Sequence, residues 1–212
     1  MRNIIFDFGN VLVKWEPERV YARHFGDEAR AWWFMRHVCD ADWRNRIDAG
    51  ESLDGCVAEL QALWPEYADA VAMYRDGWMD MLTGEMPGMR EVLADLKGMP
   101  GVRLFGLSNW SMETFPEARR RFPILQEVDD YVVSGEEGLV KPDPEIFRRL
   151  LDRYGLCAED CTFIDDSEAN VEAARGLGMH GVLFRGADAL RVELGMQGGG
   201  TGSCRATALI FN

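Results

Sequence analysis

Short apolar segments alternate with segments of helical period over the second half of the chain, and this alternation restricts the fold more than any other feature. Strands that alternate with helices form parallel sheets, because each connecting helix packs back on the sheet. Beyond residue 88, the predicted strands are 102–107, 131–133, 162–164 and 181–184, with helices between them. The predicted fold class is therefore α/β, with a doubly wound parallel sheet.

The predicted first strand, residues 3–8, is followed by about seventy residues of a different pattern. From residue 17 to 82 the period is helical, with Asp27 and Ser52 as predicted N-caps. The simplest arrangement places the first strand in the parallel sheet and inserts the helical segment as a second unit. We expect a Rossmann-like core in 1–14 and 86–195, a helical cap in 15–85 and a glycine-rich flexible tail in 196–212.

Charge and composition exclude several classes of protein. The chain has 23 Lys and Arg against 36 Asp and Glu, a formal net charge of −13, so neither nucleic acid nor an anionic membrane is an expected partner. No apolar run reaches the about 20 residues of a membrane helix, and no signal-peptide core is visible. The 5 cysteines are scattered without zinc-ligand spacing, which favours reduced thiols. These features predict a cytoplasmic protein.

Polar residues near the ends of the predicted strands are the candidates for chemistry, because ligands bind beyond the carboxyl ends of the strands in an open parallel sheet. The candidates are Asp7, Ser108, Asn109, Asp165 and Asp166, together with Lys141 in the loop after strand 131–133. Two adjacent buried acids would repel each other without a cation, and Mg²⁺ prefers carboxylate oxygens. Mg²⁺ and Lys141 would offset the charge of a phosphoryl group, while Ser108 would donate a hydrogen bond to it and one carboxylate would attack phosphorus.

The order of these residues resembles that of the haloacid dehalogenase-like hydrolase superfamily. The segments that carry the resemblance are Phe6-Asp7-Phe8-Gly9-Asn10-Val11-Leu12, Leu107-Ser108-Asn109, Lys141-Pro142 and Phe163-Ile164-Asp165-Asp166-Ser167. They match the branch whose helical cap follows the first strand. The Asp-x-Gly-Asn-Val form resembles the bacterial branch that contains α-D-glucose-1-phosphate phosphatase. The resemblance implies a hydrolase that acts on a small phosphorylated metabolite, with a sugar phosphate expected.

The resemblance also implies a role for each site residue. Asp7 would be the nucleophile and a metal ligand, and Gly9 would offer its backbone carbonyl to the metal. Asp166 would complete the metal site, with Asp165 helping directly or through water. The residues that would hold the transferring phosphoryl group are Ser108, Asn109 and Lys141.

Position 9 departs from the pattern of most phosphatases of this superfamily, which have an Asp there that protonates the leaving oxygen and then activates water. Such general acid–base catalysis typically raises the reaction rate by about 10²–10⁴-fold. Three alternatives stay open. The substrate could have a leaving group that needs little protonation, such as an anomeric hydroxyl, or the protein could be a metal-independent 2-haloacid dehalogenase, for which the Asp165-Asp166 pair is atypical. In the third alternative, the protein binds phosphate compounds and turns them over slowly. Asn10 either orients the attacking water or only caps the turn.

The inserted segment is rich in aromatic residues. Six of the 7 tryptophans lie in or beside it, at positions 15, 32, 33, 43, 64 and 78. Their helical spacing predicts that they fill the core of a small bundle, whereas Trp15 and Trp110 are expected near the cleft. The stretch 43–51 either dips toward the site as a substrate-selecting loop or, as we favour, presents arginines to solvent.

Overall fold

A computed structural model describes residues 2–196 of the chain. The main sheet contains five parallel strands in the order β5-β4-β1-β6-β7. The strands are β1 Arg2–Phe6, β2 Val13–Trp15, β3 Leu82–Glu85, β4 Val102–Ser108, β5 Asp130–Val133, β6 Cys161–Asp165 and β7 His180–Leu183. The predicted α/β class with a parallel sheet is confirmed, and β1 lies at its centre.

Helices cover both faces of this sheet. Within residues 2–196 they are α1 Pro17–Phe25, α2 Glu28–His37, α3 Ala41–Asp48, α4 Leu53–Leu63, α5 Ala68–Asp76, α6 Met89–Lys97, α7 Phe115–Arg121, α8 Ser134–Glu137, α9 Pro144–Tyr154, α10 Glu168–Gly176 and α11 Ala187–Glu193. Ile4 and Phe6 of β1 belong to one buried apolar cluster, with side chains of α6 and α11. Ile5, between them, belongs to a second cluster with side chains of α9 and α10. Side chains alternate along a strand, so β1 is buried on both faces.

Helices α1 to α5 form a third buried apolar cluster of their own. It is distinct from the two clusters on the sheet. Asp27 and Ser52 cap α2 and α4 through their side chains, as their positions predict. We propose that the core consists of residues 1–14 and 86–195 and that the cap consists of residues 15–85. The predicted tail lies outside the described residues, apart from Met196.

The junction between core and cap contains a strand pair that the sequence analysis missed. β2 and β3 form an antiparallel ribbon in which Val13 is opposite Glu85. The segment 17–82, predicted to be helical, ends in α5 with a 3₁₀ turn on either side of it, and β3 then begins at Leu82. Strands of three and four residues are too short to show a clear alternation. The helix between β4 and β5 begins at Phe115, seven residues after the end of β4, and Pro116 lies in its first turn, where proline is favoured.

The tryptophans of α2 do not enter the cap core, so that prediction was wrong for two of them. Trp32 and Trp33 are 51% and 39% exposed, because Ala31, Phe34 and Met35 form the buried face of α2. Trp43 is buried, as predicted.

Among residues 2–196, no helix is both long and apolar enough to cross a membrane. Cys39, Cys56, Cys157 and Cys161 are free cysteines. Cys204 lies outside the described residues.

Candidate active site

Three carboxylates meet at one edge of the main sheet. Asp7 directly follows β1, Asp165 ends β6 and Asp166 comes next, and β1 and β6 are neighbours in parallel register. One carboxylate oxygen from each residue lies within 4.8 Å of those from the other two. Such a set of hard oxygen donors fits a divalent cation.

Lys141 lies between two of these acids. Its Nζ is 2.6 Å from Oδ2 of Asp165 and 2.9 Å from Oδ1 of Asp7, and it donates a hydrogen bond to the carbonyl oxygen of Leu107 at 2.8 Å. Burial disfavours the charged ammonium, but Asp165 and Asp7 outweigh burial and hold the pKa of Lys141 above its ordinary value. Lys141 is therefore a permanent cation against the acidic cluster.

One ammonium does not balance three carboxylates. Burial raises the pKa of Asp7 to about 7, with Lys141 opposing the shift and Asp165 adding to it. Burial and then the charge of Asp165 also raise the pKa of Asp166. A bound divalent cation would remove this electrostatic cost, so the residues present fit a metal.

Asp165 is held on several sides. Its Oδ1 accepts hydrogen bonds from the backbone N–H of Ser167 at 2.8 Å and from Nδ2 of Asn170 at 3.0 Å, while its other oxygen faces Lys141. Asn170, on α10, was not identified from the sequence, because a polar residue in the first turns of a helix has no distinctive signal. Its contact fixes the orientation of the Asp165 carboxylate.

The end of β4 brings Ser108 and Asn109 to the same edge. Ser108 is buried. The Asn109 side chain donates to the carbonyl oxygen of Lys141 at 2.9 Å and accepts from its backbone N–H at 2.7 Å. This pair of bonds attaches the Lys141 loop to the end of β4. Asn109 also lines the cavity described below.

Gly9, two residues after Asp7, has open space beside it, because a Cβ added there would meet no atom within 4 Å. Asn10 has a φ of 55°, a left-handed conformation that Asn tolerates well. Its Oδ1 accepts from the backbone N–H of Trp15 at 3.0 Å, and its side chain is hydrogen-bonded to Asp166. Of the two roles considered, these contacts are those of a residue that holds the turn.

A cavity of about 200 Å³ lies between the sheet edge and the cap. On the sheet side its lining includes Asp7, Gly9, Trp110 and Asp166. Within residues 15–85, the lining residues are Trp15, Ala41, Arg44, Asn45, Asp48, Tyr74, Trp78 and Leu82. Trp15 and Trp110 thus lie at the cleft, as expected.

The stretch 43–51 combines both of its possible roles. Arg46 is exposed and pairs with Glu51 and Glu59, as the favoured interpretation predicts. Arg44 instead lines the cavity, donates to the carbonyl oxygen of Met35 and stands over the ring of Trp15. Helix α3 therefore presents one face to solvent and another to the site.

The sheet and its helices form a Rossmann-like core with an acidic edge. The sequence profile of the haloacid dehalogenase-like hydrolases matches residues 1–178, and the chain belongs to this family.

Known proteins of similar sequence and fold include phosphatases. Sesquiterpene phosphatase astK of Aspergillus oryzae is 31% identical over 198 residues, which cover 90% of this chain and 93% of that protein. Phosphorylated carbohydrates phosphatase of Thermotoga maritima is 26% identical over 186 residues, 84% of this chain and 82% of that protein. The crystal structure of HAD family enzyme bt-2542 of Bacteroides thetaiotaomicron matches with a TM-score of 0.69 at 19% identity, over 91% of this chain and 98% of that chain.

Other relatives are much longer than this chain. The matched region spans 18% of drimenol cyclase drtB of Aspergillus calidoustus, at 35% identity over 99 residues. It spans 17% of acyl-CoA dehydrogenase family member 10 of Mus musculus, at 27% identity over 197 residues. The similarity to these two proteins therefore concerns a part of each.

Proposed function

We propose that the chain is a Mg²⁺-dependent phosphomonoesterase that acts on a small phosphorylated metabolite, a sugar phosphate, with anomeric phosphates favoured. The observation that carries the proposal is the cluster of Asp7, Asp165 and Asp166 within 4.8 Å, with the Lys141 ammonium against it. Phosphatases among the relatives support it. The fold neighbour bt-2542 has been crystallised with magnesium and inorganic phosphate.

In this proposal, Mg²⁺ would be held by Asp7, Asp166, the backbone carbonyl of Gly9 and Asp165, the last directly or through water. When bound, the ion would supply positive charge against the phosphate oxygens. The groups that would hold the transferring phosphoryl group are Ser108, Asn109 and Lys141.

Asp7 is the nucleophile in the proposed reaction. Its carboxylate attacks phosphorus, the bond from phosphorus to the ester oxygen breaks, and an acyl phosphate forms on Asp7. Water then attacks the same phosphorus atom, the bond to Asp7 breaks, and phosphate leaves. Lys141 stabilises the anionic form of Asp7 between turnovers.

The walls of the cavity support a sugar as the leaving group. Trp15, Trp78 and Trp110 are the aromatic residues of the lining, and Asn45 and Asp48 contribute hydrogen-bonding groups. Aromatic faces beside a few polar groups are suited to a sugar, which has both C–H faces and hydroxyls. The open alternative of metal-independent dehalogenation could use Asp7 as its nucleophile, but it gives no role to Asp165 and Asp166, which cluster with Asp7.

The direct test of the proposal is phosphate release from α-glucose 1-phosphate, glucose 6-phosphate, glycerol phosphate and acetyl phosphate, with Mg²⁺ and with EDTA. We expect release above an Asp7→Asn blank in Mg²⁺ only, faster from the anomeric than from the primary sugar phosphate. No release above that blank from any compound would overturn the proposal. Fluoride or chloride release from 2-haloacids would then be measured.

Mg²⁺ is also expected to stabilise the fold. A ligand that binds only the folded state adds about 2.7 kcal/mol to the free energy of unfolding at a hundred times its Kd. Chemical denaturation in Mg²⁺ and in EDTA would measure this difference. Asp166→Asn should reduce it strongly, whereas Asp160→Asn, a neutralised exposed acid near the start of β6, should preserve it. Equal stability in Mg²⁺ and EDTA would contradict a magnesium site.

A further inference from the structure

We propose that Asp48, at the end of the cap helix α3, is the general acid and base of the reaction, in the role that Gly9 leaves unfilled. The inference rests on the proposed function, since it concerns the proton that a phosphate ester's leaving oxygen requires. It makes the cap a source of catalytic chemistry in addition to a wall of the cavity.

The core holds Asp48 in place at the cavity. The hydroxyl of Ser134 donates to the backbone carbonyl oxygen of Asp48 at 2.5 Å, and the backbone N–H of Ser111 donates to its carboxylate. Two residues further on, a Cβ added at Gly50 would lie 3.0 Å from the carbonyl oxygen of Gly135, so the turn after α3 rests directly on the core. The Asp48 side chain therefore has a fixed position in the lining shared with Asp7 and Gly9.

The other ionisable groups in the described lining are unsuited to this role or already have one. They are Asp7, Arg44, Tyr74 and Asp166. Asp7 is the proposed nucleophile and Asp166 a proposed metal ligand. An arginine stays charged in proteins, and burial raises the pKa of Tyr74 further above its ordinary value. Asp48 is the remaining acid of the described lining.

The surroundings of Asp48 suit a group that gives and takes protons. Burial raises its pKa to about 7, against the opposing effects of Arg44, of the Ser111 N–H and of Lys141. Arg44 faces it from its own helix, Tyr74 from α5 and Lys141 from the core. A pKa near the working pH is the most effective for general acid–base catalysis.

The proton balance of the proposed steps is complete. As Asp7 attacks phosphorus and the ester bond breaks, the protonated Asp48 carboxyl gives its proton to the leaving oxygen, which departs as the alcohol. Asp48 is then a carboxylate. When water attacks the acyl phosphate, Asp48 takes its proton, the bond to Asp7 breaks, and hydrogen phosphate leaves with both side chains restored.

The test compares Asp48→Asn with wild type on three esters whose leaving groups need different amounts of protonation. Asn keeps the shape of Asp and can accept from the Ser111 N–H but cannot donate an acidic proton. We expect kcat/KM to fall by about 10²–10⁴-fold for glucose 6-phosphate, less for α-glucose 1-phosphate and least for p-nitrophenyl phosphate. Asp42→Asn, on the exposed face of the same helix, should match wild type on all three.

The dependence of kcat/KM on pH distinguishes a catalytic role of Asp48 from a purely structural one, because a structural role would leave the shape of the profile unchanged. In wild type, kcat/KM for glucose 6-phosphate should fall as pH rises above about 7, because the proton donor is lost. That falling limb should be absent in Asp48→Asn.

The outcomes separate this inference from the proposed function. Equal loss on all three esters, or no loss on any, would overturn the role of Asp48 while wild-type turnover keeps the phosphatase proposal intact. No wild-type release above the Asp7→Asn blank would overturn the phosphatase proposal itself.

Discussion

Replacing Asp7 by Asn is expected to lower kcat for phosphate release by about 10⁴-fold or more, the scale of loss seen when a nucleophile is removed. The amide has the shape of the carboxylate but not its negative charge, so it cannot form the acyl phosphate. Steady-state phosphate release in Mg²⁺, with Asp152→Asn as an exposed-acid control, measures the effect. Retention of ordinary activity by Asp7→Asn would reject the nucleophile assignment.

We expect Asp7→Asn to lose activity without losing stability. Burial raises the pKa of Asp7 to about 7, which means that its charge is unfavourable in the fold without a cation. In EDTA at pH 8, Asp7→Asn should therefore unfold at a denaturant concentration no lower than wild type. A site whose charges cost stability is typical of a centre arranged for function. An inactive variant with a marked loss of stability would instead indicate a damaged fold.

The sequence predicted the sheet and its acidic edge because those parts have local signals. Each core strand is an apolar run, and each run near the site ends in polar residues such as Asp7 or Asp165. Parallel strands place their carboxyl ends together. This rule predicts that Asp7 and Asp165, far apart in sequence, lie together, as they do.

The docking of the cap had no such signal. Its contacts with the core join single polar atoms far apart in the chain, such as the Leu53 N–H and Oε1 of Glu113 at 2.8 Å. The same is true of Asp48 and Ser134, 86 residues apart. Nothing in the local pattern around Asp48 distinguishes it from other acids of the cap, so its place in the cavity followed only from the tertiary structure.

The exposed tryptophans show a limit of helical periodicity. Adjacent positions such as Trp32 and Trp33 occupy one side of α2, while the buried side is formed by Ala31, Phe34 and Met35. The pattern predicted a helix with an apolar face. Because large aromatic residues occur on more than one side of α2, the pattern did not identify which side is buried.

Replacing Lys141 by Met is expected to destabilise the protein by about 3–5 kcal/mol in EDTA at pH 8, the usual result of removing one partner of a buried ion pair. The loss leaves the carboxylates of Asp7 and Asp165 without their shared cation, and it leaves the Leu107 carbonyl without its donor. Urea denaturation measures it. Lys97→Met, which removes an exposed lysine paired with Glu127, should change stability by no more than about 0.5 kcal/mol.

The cause of that loss can be separated from simple disruption of packing. If unpaired charge is responsible, adding Asp7→Asn to Lys141→Met should recover part of the stability, because one of the stranded carboxylates is gone. The loss should also depend on pH. Without Lys141 the pKa of Asp7 rises further above its unfolded value, so the folded state binds the extra proton and the variant is more stable at pH 5 than at pH 8 relative to wild type. A loss that is independent of pH and additive with Asp7→Asn would assign Lys141 a packing role and remove the electrostatic account of the site.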